Sequence, residues 1–509
     1  MAEKSGNTEF QIEDTGAGPD SNRMTKVDTL HGDEAVIVLE AYDGESTWTK
    51  EEERRLVRKI DLRLLPILIM TFGLTFYDKV QLAHAAIFGL TKDLDLLVGN
   101  RYSMSSSIFY LGYISGSYPA VLLAQRYPIQ RVIFGITFVW GLCVISCAGA
   151  FNYQGLFAQR FFLGVLESGI SPVWMMVVGG WYRKEEQTFR MGVWYSAASI
   201  MSLLAPIVNY GLGHINGSLA PWRYMFIVAG VITTLWAFVI LFVLESDPIH
   251  AKSLNEREKF IAISRLRENN SGIRNRHFKA PQLWELLTSA HFWLVFFMAV
   301  TINVSNAVPT TFNPIIIKAM GFSGLNALLL TMPTGGVGLV TTLGTAFLMA
   351  KYSKHNLRTL VIAGEVSLML LSCCLMWQLP HAAVGARLFF LYLLSFYPAA
   401  YSLIMNLSIA NAAGYTKRAL TSSGLFVGYC CGNLIGPFLF LEHERPLYHT
   451  AWTSITVLTA ICVLLALTYR LLCLWENKKR EDAGFTESFE HAYEDDVTDR
   501  KNPHFRYIY

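Results

Sequence analysis

Long apolar runs dominate the chain and recur at nearly regular intervals between residues 62 and 473. A helix of about 20 apolar residues crosses the hydrocarbon core of a membrane, which is about 30 Å thick. Twelve runs reach this length, so the pattern predicts twelve transmembrane helices. The predicted spans are 62–83, 103–124, 131–149, 154–179, 190–213, 223–244, 290–312, 327–349, 358–378, 386–408, 419–441 and 450–473.

Polar segments divide these spans into two groups of six. The predicted parts are an N-terminal tail (1–61), an N-terminal six-helix bundle (62–244), a central loop (245–289), a C-terminal six-helix bundle (290–473) and a C-terminal tail (474–509). Both tails are polar, and we expect them to be disordered and solvated. The exception is one short interfacial helix, since Thr49 and Glu52 have the spacing of a capping box.

Composition supports this all-α membrane protein. The chain is 52% hydrophobic and only 16% charged, whereas an average soluble domain has about 25% charged residues. A net charge of +3 argues against nucleic acid as the main partner. The sequence contains no ATP-binding P-loop, no nucleophile elbow and no clustered metal-ligating histidines. We therefore expect no enzyme, no cofactor and no bound metal.

Basic residues predict the orientation, because short cytoplasmic loops are enriched in Lys and Arg. With the N-terminus inside, the short inner loops hold ten basic residues and the outer loops six, and the central loop adds eight to the inner side. Both termini and the central loop are therefore predicted to be cytoplasmic. We expect the plasma membrane, with the vacuolar or another internal membrane as the alternative. Asn216 would then be a candidate glycosylation site in an outer loop.

The two halves repeat short patterns. Three pairs match at offsets of 225, 227 and 231 residues: Arg126 with Lys351, Arg160 with Arg387, and Pro206 with Pro437. Transporters are often built from duplicated bundles. The nearly constant offset therefore favours a six-plus-six duplication and argues against a channel.

Several longer stretches resemble one known family. They are Phe76-Tyr77-Asp78-Lys79, Gly99-Asn100-Arg101-Tyr102-Ser103, Arg160-Phe161-Phe162-Leu163-Gly164-Val165-Leu166-Glu167 and Gly432-Asn433-Leu434-Ile435-Gly436-Pro437. On these motifs, the chain resembles the major facilitator superfamily and, within it, the fungal allantoate-permease branch of the anion:cation symporter family. The resemblance implies alternating access around a cavity lined by the first, fourth, seventh and tenth spans. It also places the family's Asp-Arg pair at Asp78 and Lys79.

Ionisable residues within a span indicate a functional site, because they are costly in lipid. Asp78 and Lys79 lie 12 and 13 residues beyond Pro66, about 18–20 Å along a helix. We interpret Asp78 as a proton-binding carboxylate and Lys79 as the cation that meets an anionic substrate, with Tyr77 as a further substrate contact. The alternative is a structural Asp beside a Lys that reaches the membrane surface.

The fourth span has the most polar face, on which Arg160, Gly164 and Glu167 follow one another at helical spacing. Arg160 and Glu167 are about 10 Å apart on the helix, so a substrate or a group from another helix has to lie between them. We predict that Glu167 binds a proton, that Arg160 binds substrate and that Gly164 leaves space. A structural ion pair between helices is the alternative.

Later spans supply further candidates. In the seventh span, Asn303, Asn306 and Thr310 form a polar stripe that faces either a wet cavity or a neighbouring helix. Tyr397 in the tenth span and Asn433 in the eleventh are expected to line the same cavity. All five are predicted substrate-binding residues.

Packing and gating residues are predicted separately. Gly424, Gly428, Gly432 and Gly436 recur at every fourth position of the eleventh span, which predicts a smooth face for close helix packing and sliding. Arg126, at the end of the second span, is the candidate gating residue.

Together these features predict a monomeric secondary transporter whose partners are protons, the lipid bilayer and a small anionic substrate. By resemblance, it takes up an organic carboxylate such as a ureido acid or a vitamin-like acid, driven by protons. The first alternative is an exporter of a secondary metabolite on the same fold. The second is a nutrient sensor without net transport, although tails of about 60 and 35 residues are short for signalling.

Overall fold

The computed structural model describes residues 42, 44, 47–215, 217–267, 279–352, 355–380, 382–484 and 498–509. Eleven helices within these ranges are long and apolar enough to cross a membrane. The predicted eleventh span is also a helix, Tyr415–Ile435, but its many Gly, Ser and Thr residues lower its hydropathy. The all-α fold with twelve membrane helices is therefore confirmed.

The helices follow the predicted order closely. The spans comprise Lys50–Ala85; Arg101–Arg126; Ile129–Cys147; Tyr153–Glu167 with Ile170–Trp181; Lys184–Leu212; Pro221–Val243; Ala290–Ser305 with Asn313–Ala319; Gly324–Leu329 with Met332–Lys351; Arg358–Gln378; Val384–Leu393 with Tyr397–Ala410; Tyr415–Ile435; and His449–Asp482. The described part of the central loop contains two shorter helices, Glu256–Arg267 and Ala280–Leu287.

The predicted interfacial helix is the beginning of the first span. Thr49 and Glu52 form the predicted capping box, and the helix then continues without a break to Ala85. Lys59 binds Glu258 of the central loop at 2.6 Å, which joins this extension to the first loop helix. The polar extension is therefore held by protein contacts as well as by its position beside the membrane.

Corresponding breaks occur in the first and seventh spans. The first span ends in a wider π-helical turn at Ala86–Leu90, and the seventh is interrupted by a similar turn at Val308–Phe312. Gly89 has a φ of 106°, a conformation that a residue with a Cβ rarely adopts. Equivalent irregularities in the two halves agree with a duplicated architecture.

Small residues bring the second and fourth spans into backbone contact. A Cβ on Gly164 would lie 2.0 Å from the carbonyl oxygen of Phe109, and one on Gly112 would lie 2.0 Å from that of Phe161. The expectation that Gly164 leaves open space is therefore wrong, because the backbone of the second span fills the position. Close packing of this kind is typical of membrane helices.

Four hydrogen bonds that join the two bundles lie on the side of the membrane opposite the tails. Tyr102 donates to the Thr311 carbonyl at 2.8 Å, and Ser106 and Thr311 share a hydrogen bond at 2.9 Å. Two more donors, Ser107 and Lys318, reach the main-chain carbonyls of Leu434 and Ile87 at 2.8 and 3.4 Å. The two bundles are therefore closed against each other on that side.

Residues 498–509 fold back onto the C-terminal bundle, and we call this segment the tail strap. Asp499 binds Lys417 Nζ at 2.7 Å, and Lys417 also binds Glu285 of the second loop helix at 2.9 Å. Asn411 exchanges two hydrogen bonds with the backbone of Ile508, at 2.7 and 2.8 Å. The prediction of a fully disordered C-terminal tail is wrong for this segment, because its polar groups find partners at the ends of the spans.

A tyrosine anchors the tail strap. The Tyr507 ring stacks on His291 with 4.3 Å between ring centroids, and its hydroxyl donates to Asp499 at 2.9 Å. Burial, together with the nearby charges of Asp499 and Glu476, raises the pKa of Tyr507, so the hydroxyl remains protonated and keeps donating. The strap thus connects His291 of the seventh span to Lys417 in the first turn of the eleventh.

We expect Asp499→Ala to destabilise the purified protein. The Lys417 side chain is only 4% exposed, and breaking one partner of a buried ion pair costs about 3–5 kcal/mol. Because Glu285 stays in contact with Lys417, we expect the lower end of this range, measured as a reduced midpoint of thermal unfolding. Lys501→Ala, an exposed position in the same segment, is the matched control. Equal midpoints for the two variants would show that the ion pair does not hold the strap.

Candidate functional site

Four ionisable side chains meet inside the N-terminal bundle, and we call Asp78, Lys79, Arg160 and Glu167 the charged centre. Lys79 Nζ lies 4.0 Å from Glu167 Oε2. Asp78 is within electrostatic range of Arg160, and Glu167 is within range of the other three. The first and fourth spans therefore bring together the four charged residues that the sequence singled out.

Exposure differs sharply within the charged centre. Asp78, Arg160 and Glu167 are 1%, 2% and 1% exposed, whereas the Lys79 side chain is 17% exposed. Among the described residues, no hydrogen bond with good geometry reaches the carboxylate oxygens of Asp78 and Glu167 or the Nε and Nη2 atoms of Arg160, although the Trp140 side chain lies beside Asp78. Buried charges are costly when hydrogen bonds do not satisfy their polar atoms, even where an opposite charge lies nearby. The arrangement is therefore suited to neutralisation by a proton or by a bound anion.

Lys79 lies at the interface between the bundles. Its ammonium nitrogen is 5.6 Å from the ring centroid of Phe109 and 5.3 Å from that of Tyr113, distances at which a cation is attracted to a ring face. It is also within electrostatic range of Cys430 in the eleventh span. Glu167 is likewise within electrostatic range of Tyr429 in that span, so both members of the Lys79–Glu167 pair lie near the C-terminal bundle.

A second polar cluster, the amide cluster, lies in the C-terminal bundle and consists of Asn303, Asn306, Tyr397 and Asn433. Asn303 Oδ1 accepts from the Tyr397 hydroxyl at 2.6 Å and from Asn433 Nδ2 at 3.1 Å. Asn306 Nδ2 donates to Asn433 Oδ1 at 2.8 Å. Four predicted substrate contacts therefore join the seventh, tenth and eleventh spans, and they hydrogen-bond mainly to one another.

Aromatic rings fill the region between the charged centre and the amide cluster, and we call them the aromatic bridge. Its members are Tyr110, Tyr113, Tyr397, Tyr401, Phe426 and Tyr429. Tyr113 and Phe426, from opposite bundles, have ring centroids 5.2 Å apart, and Tyr110 and Tyr429 are 6.0 Å apart. Sequence reasoning missed most of this bridge. The sequence did contain a signal for it. Tyr110 and Tyr113 in the second span, and Phe426 and Tyr429 in the eleventh, are pairs of aromatic residues three positions apart, which places each pair on one helix face.

Tyr77 belongs to a different polar group. Its hydroxyl donates to Asn209 Oδ1 at 2.9 Å, and Asn209 Nδ2 also contacts Gln81 Oε1 and His84 Nδ1 at 2.7 Å each. This network joins the first and fifth spans. The hydroxyl of Tyr77 is thus engaged by the fifth span, and His84 is buried in the same network.

The glycine stripe of the eleventh span packs against the seventh. A Cβ on Gly424 would lie 2.5 Å from the Phe292 ring. A Cβ on Gly428 would lie 3.1 Å from a carbonyl oxygen of the seventh span, and the corresponding distances are 2.4 Å for Gly432 and 2.6 Å for Gly436. These distances leave no room for larger side chains, so the stripe sets the separation between the two helices that carry the amide cluster.

The other predicted residues lie apart from the charged centre. Thr310 donates to the Asn306 carbonyl of its own helix at 2.6 Å, and Arg126 is exposed at the end of the second span. Asn216 lies outside the described residues. Within the described ranges, no group of three or more His, Cys, Asp or Glu residues could hold a metal ion.

Comparison with known proteins agrees with this arrangement. The family model described as Major Facilitator Superfamily matches residues 67–437. The chain belongs to the major facilitator superfamily. The match includes the charged centre and most of both bundles, so the protein is a multi-pass membrane transporter that handles a small molecule.

Relatives within the superfamily cover nearly the whole chain. An uncharacterized transporter of Schizosaccharomyces pombe is 33% identical over 472 residues, which are 91% of this chain and 89% of that protein. The allantoate permease of Saccharomyces cerevisiae is 30% identical over 476 residues, with 90% and 87% covered. These similarities confirm the resemblance to the fungal allantoate-permease branch.

A solved structure supports the same fold. The xylose transporter XylE from E. coli, described in a partially occluded inward open conformation, has a TM-score of 0.61 and 13% sequence identity to this chain. The similarity covers 81% of this chain and 98% of the other. It shows that the two superfamily members share their architecture.

Proposed function

We propose that this transporter carries out proton-coupled uptake of a small organic anion by alternating access, as a monomer in the plasma membrane with both termini cytoplasmic. The observation that carries the proposal is the Lys79–Glu167 pair, with 4.0 Å between Nζ and Oε2, at the interface between the bundles. In this pair, a cation that a substrate can reach lies beside a carboxylate that can take up a proton. At this distance, a change in the charge of one group alters the energy of the charged form of the other.

In this mechanism, the substrate carboxylate competes with Glu167 for Lys79. Glu167 loses its closest cation when the anion binds, so it gains from taking up a proton. Arg160 adds positive charge deeper in the same bundle, and Asp78 is the second carboxylate available for protonation. With the anion on Lys79 and a proton on Glu167, the charged centre carries less unpaired charge. The free-energy cost of exposing the centre first to one side of the membrane and then to the other is therefore lower.

The state of the bundles supports access from the tail side. The hydrogen bonds of Tyr102 and Ser107 close the opposite side, and the partly exposed Lys79 is the charge that a substrate entering from the tail side would reach. We propose that the eleventh span moves along the seventh on its glycine stripe, and that Arg126 acts at the tail-side end of the second span. The similarity to the allantoate permease favours a ureido acid as the substrate, and a vitamin-like carboxylate is the other candidate.

Exchange and accumulation in liposomes test this function. The purified chain is reconstituted in two preparations. Liposomes with internal unlabelled allantoate or another small monocarboxylate report exchange, and liposomes without internal acid report accumulation of the labelled acid with and without a pH gradient. A gradient of one unit supplies about 1.4 kcal/mol, so one proton per anion is expected to give about tenfold accumulation. A protonophore should abolish the accumulation but leave exchange intact. Accumulation that resists the protonophore would contradict proton coupling.

A further inference from the structure

Three partly exposed aromatic residues lie where the two bundles meet. Tyr195, Phe426 and Tyr429 are partly exposed, as is Lys79. Tyr195 is within electrostatic range of Tyr429, so this fifth-span residue also faces the C-terminal bundle. A molecule entering between the bundles therefore meets one accessible cation and several ring faces.

Four rings of the aromatic bridge, those of Tyr113, Phe426, Tyr429 and Tyr401, follow one another at moderate tilts, whereas the Tyr110 ring stands at 70° to Tyr429. The planes of Tyr113 and Phe426 differ by 35°, those of Phe426 and Tyr429 by 22°, and those of Tyr401 and Tyr429 by 35°. Successive centroids are 5.2, 6.0 and 5.7 Å apart. Aromatic groups stack best in offset, near-parallel arrangements. Such a surface favours a flat guest over a rounded aliphatic one of similar size.

The amide cluster offers little to a guest that depends on many hydrogen bonds. Asn303 Nδ2 donates to the Ala299 carbonyl at 2.7 Å, and its Oδ1 already accepts from Tyr397 and Asn433. A ureido group would have to break these bonds to form its own, and the net gain from such an exchange is small. The described contacts therefore favour stacking over amide recognition.

We propose that the preferred substrate is a carboxylate carried on a flat, conjugated ring, with the carboxylate on Lys79 and the ring stacked against Phe426 and Tyr429. This inference rests on the proposed function, because it takes Lys79 as the anion-binding residue. It narrows the substrate class to planar acids and assigns Phe426 and Tyr429 as specificity-determining residues.

Binding to the purified full-length chain tests the preference. Isothermal titration compares benzoate, cyclohexanecarboxylate and allantoate. Benzoate and cyclohexanecarboxylate carry the same charge and have six-membered rings, but only benzoate is flat. We expect benzoate to bind about tenfold more tightly than cyclohexanecarboxylate and more tightly than allantoate. Hydrophobicity alone would favour the saturated ring. Absence of benzoate binding at millimolar concentration, or equal binding of the two ring acids, would overturn the inference.

Variants of the aromatic bridge test whether Phe426 and Tyr429 cause the preference for the flat ring. Tyr429→Leu should bring the benzoate and cyclohexanecarboxylate affinities within twofold of each other, whereas Tyr429→Phe should keep the preference. Phe426→Leu and Phe426→Tyr form a second pair in case the first leucine variant does not fold. Tyr118→Leu, at a position that is 71% exposed, is the control for loss of a tyrosine. A preference that survives both leucine variants would also overturn the inference.

One further variant separates this inference from the proposed function. Lys79→Ala should weaken binding of all three acids. If it does so but the two ring acids bind equally to the unmodified chain, only the planar-ring inference fails. If Lys79→Ala leaves every affinity unchanged, the anion-binding role of Lys79 fails, and the planar-ring inference fails with it.

Discussion

Glu167→Gln is expected to abolish accumulation driven by a pH gradient while anion exchange continues. Glutamine has nearly the same shape as glutamate but cannot take up and release a proton at the pH of the assay. Lys79 remains available for the substrate carboxylate, so exchange should stay within about twofold of the unmodified transporter. The accumulation ratio should fall from about tenfold per pH unit to about one, measured in liposomes as above.

A second buried carboxylate provides the matched control. Glu365 in the ninth span is 7% exposed and accepts a hydrogen bond from Thr345 of the eighth span. Glu365→Gln removes the same charge in the same type of environment, without touching the charged centre, and should leave the accumulation ratio unchanged. Full accumulation by Glu167→Gln would refute its role in proton binding.

Lys79→Ala is expected to weaken anion binding by about 30-fold or more. Removing one partner of a buried, hydrogen-bonded charge pair costs about 2–5 kcal/mol, and alanine leaves the substrate carboxylate with only the buried Arg160 as a cation. The measurement is a titration of the purified chain with the carboxylate that binds the unmodified transporter most tightly. Its dissociation constant should rise by about 30-fold or more.

Two further variants test whether the loss of binding in Lys79→Ala comes from the positive charge at this position. Lys79→Arg keeps the charge and should retain binding to within about tenfold, because an arginine also pairs with carboxylates. Lys92→Ala removes an exposed lysine beyond the end of the first span and should have no effect. An unchanged dissociation constant for Lys79→Ala would rule out this lysine as the anion site.

The fold was largely predictable because membrane spans depend on composition over a whole segment. The apolar pattern predicted the twelve spans and the division at the central loop. The breaks within spans were not predicted, since the π-helical turns at Ala86–Leu90 and Val308–Phe312 depend on local packing. The apolar pattern contains no signal for such a change of helical pitch.

The charged part of the site was also predictable, whereas its surroundings were not. Ionisable residues such as Glu167 stand out in an apolar span, so their position alone indicates function. Aromatic residues such as Tyr113 and Tyr429 are ordinary in membrane helices, and only the way the two bundles meet brings them together. Tyr77 illustrates the same limit, because its neighbour in sequence faces the charged centre while its own hydroxyl binds Asn209.

The tail strap depends on contacts between distant parts of the sequence. Asp499 and Lys417 are 82 positions apart, and a polar, charged segment beyond the last span has the composition of a solvated tail. Its order comes from specific partners, among them Asn411 and His291, that the sequence pattern does not connect to it.

The closure opposite the tails combines side-chain donors with main-chain acceptors. Tyr102, Ser107 and Lys318 each donate to a backbone carbonyl of the other bundle. A backbone carbonyl persists whatever side chain its residue carries, so divergence on the acceptor side leaves these bonds intact. The pattern allows homologous transporters to change the acceptor residues in either bundle during evolution while the seal between the halves is retained.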